Sequence, residues 1–229
     1  MKKDNLLNIL LDNIDENYAL FTKKLVPDTK CKILGVRTPI IRKIAKNAVS
    51  DYYQTKLFLQ SNHVYHEEWM LHGLILGQLK INVSELLGFI DSFIPHIDNW
   101  SVWDSSVSAL KIIKKHKDIF YKKIKIWLNN KNPYVIRFAL DTLLCYYIDN
   151  EFCEQALILA ENSCNDNYYV NMAVAWLFSV ALVKNYDLTI KYLEAKRLPT
   201  FVHNKAIQKA VESFRINKDK KQYLKLLKI

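Results

Sequence analysis

Asn132-Pro133-Tyr134-Val135 has an echo 35 residues further on, Asn167-Tyr168-Tyr169-Val170. In each copy an asparagine able to cap a helix stands before an aromatic and a β-branched residue. Recurrence at that spacing suits paired-helix repeats, in which each pair buries its apolar face against the next. Outward from this segment, apolar residues recur at helical spacing nearly everywhere. The expected helices are 4–25, 39–48, 50–60, 64–80, 84–94, 99–115, 118–129, 133–148, 151–163, 167–184, 186–195, 200–214 and 218–227. Thr38-Pro39, like Asn132-Pro133, places proline at a first helical position. With four glycines, five prolines and no alternating run bounded by Asn-Gly or Asp-Gly, no strand is expected. The reading is all-α: an α-solenoid with a concave groove lined by every second helix. The longest linkers, Thr29 to Arg37 and Asn162 to Asn167, are too short to separate domains, so residues 1–229 are expected to form one.

The chain has 229 residues, 50% of them hydrophobic, enough for a large core. Lys plus Arg outnumber Asp plus Glu by 33 to 23, a formal charge of +10. That balance favours a polyanionic partner, nucleic acid before membrane, although a lysine-rich composition gives the same charge with no such partner. Cys31, Cys145, Cys153 and Cys164 show no CxxC pair and read as thiols in a reducing compartment. Met1-Lys2-Lys3-Asp4-Asn5 leads into a patterned helix rather than a signal segment, and no uncharged run approaches the roughly 20 residues of a membrane span. A cytoplasmic, monomeric protein is expected.

Ile97-Asp98-Asn99-Trp100-Ser101-Val102-Trp103-Asp104 reads as a helix start capped by Asp98 or Asn99. Trp100 and Asp104, four apart, share a face. An aromatic surface beside a carboxylate suits a cation, or a group that becomes cationic during reaction. The same pair also fits a dipole partner and a core indole. Arg137, one turn into an apolar helix, offers a bidentate fork for phosphate, or pairs at the surface with Asp141. In Val170-Asn171-Met172-Ala173-Val174-Ala175-Trp176, small residues leave room for a ligand near Trp176, or serve core packing. Thr38, Arg42, Lys43 and Lys46 make a phosphate grip or a solvated face. His66 beside Glu67 and Glu68 is a fragment of metal-site chemistry without the spacing to complete it, and the run from Lys218 to Lys225 reads as a solvated helix face. No GxSxG, Walker or GxGxxG motif occurs, and no metal or cofactor is expected.

Taken together, these segments resemble the AlkD-like family of DNA alkylation-repair proteins, built from HEAT-like helical repeats. The resemblance runs from about Leu34 to Lys228 and rests on four stretches: 34–46, 97–104, 132–137 and 168–176. It implies about six HEAT-like helix pairs around a basic groove. It also implies glycosylase activity on N3- and N7-alkylated purines in duplex DNA, with Trp100, Trp176, Asp104 and Arg137 as site residues. Thr38, Arg42 and Lys46 match the family's DNA-gripping positions, and Trp103 adds an indole for DNA contact. One position departs from the best-understood glycosylases: Asn99 stands where they carry the first tryptophan of a Trp-Trp pair. A non-catalytic protein recognising branched or damaged DNA is the alternative, and a protein-binding scaffold a third.

Overall fold

The computed structural model describes residues 3–149 and 151–229, so Met1 and Lys2 of the opening segment lie outside it. Among the described residues there are fourteen α-helices and no strand; one isolated bridge pairs Lys32 with Tyr65. The helices gather into two compact units, 1–116 and 117–229.

The first unit holds α1 (Lys3–Leu11), α2 (Glu16–Leu25), α3 (Thr38–Ala48), α4 (Tyr52–Leu59), α5 (His66–Leu76), α6 (Val83–Phe93) and α7 (Trp100–Ala109). The expected helix 4–25 is two helices: Asp15 accepts from the Tyr18 amide at 2.9 Å and caps α2, so the chain turns where apolar periodicity runs on. Every residue of α5 is buried, which makes it the unit's central rod, with α3 and α7 packed on it. Close approach of α7 depends on small residues. A Cβ at Gly73 would stand 1.8 Å from Ser106 Oγ, and one at Gly77 2.5 Å from Ala109 Cβ.

The loop before α3 is fixed just as tightly. Glu67, 1% exposed, accepts from the Leu34 amide at 2.9 Å and the Gly35 amide at 2.7 Å. Gly35 has φ +83°, and a Cβ there would lie 2.1 Å from the Asp15 carbonyl oxygen. Only glycine fits both the left-handed backbone and the contact. Gly35→Ala is therefore expected to cost about 2–4 kcal/mol in urea unfolding; a loss under about 1 kcal/mol would mean that this loop is not rigidly held.

The second unit holds α8 (Lys117–Leu128), α9 (Pro133–Tyr146), α10 (Cys153–Asn162), α11 (Tyr168–Lys184), α12 (Tyr186–Glu194), α13 (Thr200–Glu212) and α14 (Lys218–Leu226). Helices α9, α11 and α13 pack side by side, α8 lies on α9, and α10 and α12 lie on α11. This alternation is the layering of a helical repeat. The 35-residue echo carries it to single bonds. The Asn132 amide donates to Asn130 Oδ1 at 2.8 Å, and Asn132 Oδ1 accepts from the Tyr134 amide at 2.9 Å. Asn165, Asn167 and Tyr169 repeat both bonds at 2.8 and 2.9 Å. The same cap thus opens α9 and α11.

Candidate nucleic-acid interface

In the first unit the site begins at the N-terminus of α7. Asn99, 4% exposed, is the cap: its Oδ1 accepts from the Val102 amide at 3.2 Å. Asp98 serves a different end. It accepts from Thr29 Oγ1 at 2.8 Å and the Lys30 amide at 2.6 Å, tying the loop after α2 to the start of α7. Trp100 is half-buried, and its indole N–H donates to the Leu25 carbonyl at 3.0 Å, which fixes the ring. It shares the lining of a small cleft with Thr38, Tyr18, His66 and Met70. Trp100, a candidate catalytic residue, and Thr38, a candidate DNA contact, thus line the same cleft. Asp104 follows one turn later, half-buried; Arg42 and Lys46 are exposed on α3.

Trp103 requires a correction. It was expected to touch DNA, but it is 0% exposed and meets Phe93 edge-on with ring centroids 5.7 Å apart. Three residues from Trp100, it faces the core, so its indole offers no surface to a ligand.

His66, Glu67 and Glu68 are each engaged separately. Glu67 holds the Gly35 loop. Glu68 accepts from the Val64 and Tyr65 amides at 2.8 and 3.0 Å, closing a capping box. His66 Nδ1 lies 3.4 Å from Asn99 Nδ2, and burial pushes the imidazole down from 6.5 to about 4. The unfolded chain takes up that proton below about 6.5, whereas the folded chain refuses it until about 4. Stability therefore falls as the pH drops through this window, by at most about 1.4 kcal/mol per unit, and His66 contributes no slope above it. Melts of wild type and His66→Gln should diverge between these limits, with the wild type falling faster; parallel curves would contradict a neutral buried His66.

In the second unit, Arg137 is not the surface arginine that its pairing with Asp141 suggested. It is 7% exposed and Asp141 1%. Arg137 Nε lies 3.4 Å from Asp141 Oδ2, and Nη1 donates to the Tyr169 carbonyl at 3.1 Å. Much of the fork expected for phosphate is thus directed at the protein, binding α9 to the first turn of α11. Trp176, two turns along α11 from Tyr169, is half-exposed above the buried Ala173 and Ala175. Its ring stands at a surface cleft between α11 and α13, floored by Val180 and Val183 and edged by Lys184, Lys209 and Arg215. The sequence reading passed over these three cations.

The chain is a layered all-helical protein with half-exposed indoles at Trp100 and Trp176. Comparison with known families is more specific. A family model described as DNA alkylation repair enzyme matches residues 7–210, and the chain belongs to that family. Membership supports a role in DNA repair, as an enzyme, in line with the resemblance carried by the motifs. No curated protein matches the chain. No helix among the described residues is long and apolar enough to cross a membrane.

Proposed function

We propose that the protein is a monofunctional DNA glycosylase that hydrolyses the N-glycosidic bond of cationic N3- or N7-alkylated purines in duplex DNA. The observation that carries this reading is the first turn of α7. Trp100 is fixed there through its N–H at 3.0 Å, and the half-buried Asp104 carboxylate lies one turn beyond on the same face.

An alkylated purine of this kind already bears a positive charge, so its glycosidic bond breaks without prior protonation of the base. As the C1′–N bond lengthens, its electron pair neutralises the departing base and positive charge gathers on the sugar. Asp104 stabilises that charge, orients a water toward C1′, and takes the proton the water releases. The Trp100 face attracts the same charge, a contact worth about 0.5–2 kcal/mol. The family resemblance makes Trp176 a further indole for nucleotide contact. Arg137 is a positioning residue that sets the start of α11. Thr38, Arg42 and Lys46 hold phosphates and fix register. The free thiols of Cys31, Cys145, Cys153 and Cys164 fit a reducing cytoplasm, and one chain suffices for this chemistry.

The second reading, a non-catalytic binder of damaged or branched DNA, has one observation in its favour. Asn99, where the better-understood relatives carry an aromatic, is consumed as a buried cap and adds no ring. Two duplexes separate the readings, one with N7-methylguanine and one with its uncharged 7-deaza isostere. A glycosylase relying on leaving-group charge yields free base and an abasic site in equal amounts from the first only. Equal binding of both with neither product supports the binder.

A further inference from the structure

Between α13 and α14 the chain turns through Ser213-Phe214-Arg215-Ile216. The turn is built rather than loose: Ser213 Oγ accepts from the Arg215 amide at 3.2 Å, Ile216 is buried, and Asn217 caps α14. Anchoring Ile216 inward leaves Phe214 wholly in solvent, at 102% relative exposure. The fixed turn thus presents a whole phenyl ring to a ligand, more of it than any other large apolar side chain among the described residues.

Its neighbours indicate what ligand that is. Lys209 and Arg215 share the adjoining cleft with Lys184 from α11. Other cations near an acid pair with it: Arg197 with Glu161 at 2.6 Å and Arg37 with Asp15 at 2.9 Å. Among the described residues, the side chains of Lys184, Lys209 and Arg215 make no ion pair or hydrogen bond. The cleft's one acid, Glu212, already accepts from Gln208 Nε2 at 2.9 Å. Three cations in a cleft that Ser213 and Arg215 line on either side of the bare Phe214 in sequence suit a polyanion with flat apolar faces between its charges, which is nucleic acid.

We propose that this turn and its cleft form a further DNA contact. Lys184, Lys209 and Arg215 each hold a backbone phosphate, and Phe214 enters the minor groove as a wedge against a base step. The inference rests on the proposed binding of DNA but not on base release. Phe214 and Arg215 also lie beyond residue 210, where the family match ends.

The test uses the full chain and an undamaged duplex, so its failure and that of the glycosylase reading are distinguishable. Replacing Lys184, Lys209 and Arg215 by alanine together should lower the slope of log affinity against log salt by about 2.7. Replacing Lys122, Lys125 and Lys191, exposed elsewhere in the second unit, should leave the slope unchanged. Phe214→Ala should weaken binding about tenfold and Phe214→Trp preserve it. With 2-aminopurine at the contacted step, fluorescence should rise on binding wild type but not Phe214→Ala. An unchanged slope would show that the cations serve only the helix C-termini and would overturn the proposal. An equal fall with the control lysines, or full affinity in Phe214→Ala, would overturn it as well. Absence of base release from alkylated DNA would leave it standing.

Discussion

Asp104→Asn is expected to lower single-turnover base release by about a hundred- to ten-thousandfold, while duplex affinity stays within about twofold. The asparagine keeps the size and one acceptor of the aspartate, so α7 and the seat of Trp100 are undisturbed. In the proposed mechanism the substitution removes the negative charge set against the sugar as it turns cationic, together with the base for the water's proton. Both act in the transition state, so rate falls and binding does not. A variant that lost duplex binding yet kept its rate per bound complex would show that Asp104 organises the interface rather than the chemistry.

Arg137→Ala is expected to act through stability. Asp141 is 1% exposed, and removal of the guanidinium at 3.4 Å takes away a buried carboxylate's paired cation. The loss should be about 3–5 kcal/mol in chemical unfolding, a large share of the stability of a typical domain. The Tyr169 carbonyl loses the Arg137 N–H in the same step, so the first turn of α11 should loosen and hydrogen exchange there should rise. Arg137→Lys retains a charge but cannot reach both partners in a planar fork, and should fall between the two. A variant unfolding with wild-type stability, but with its salt dependence of DNA binding reduced by about one, would return Arg137 to the role of phosphate ligand.

The layered helices were legible in the sequence because their signals are local. Asn132 and Asn167 announce α9 and α11, and the structure gives both the same pair of side-chain bonds. The expected helix 200–214 overran for the opposite reason. α13 ends at Glu212, and nothing in its periodicity reveals that Ile216 turns inward and leaves Phe214 out. The break before Asp15 is likewise made by one cap, which an apolar pattern passes over.

At the site, residue types were readable and their surroundings were not. Trp100 and Trp103 are equal as sequence. Phe93, ten residues upstream of Trp103, takes one ring into the core, and the Leu25 carbonyl holds the other at the surface. Arg137 and Asp141 form the expected pair, but their burial depends on α11, whose Tyr169 lies 32 residues away. Lys184, Lys209 and Arg215 come from three separate elements, and only folding puts them in one cleft.

The central claim is that this chain breaks glycosidic bonds in DNA. The direct measurement is single-turnover release of free base from defined duplexes carrying N7-methylguanine or N3-methyladenine, with enzyme in excess. The expected result is free base together with an equal yield of abasic sites, and loss of both in Asp104→Asn. Saturated binding of both duplexes with neither product would contradict it and leave a protein that recognises damaged DNA without cutting the base away.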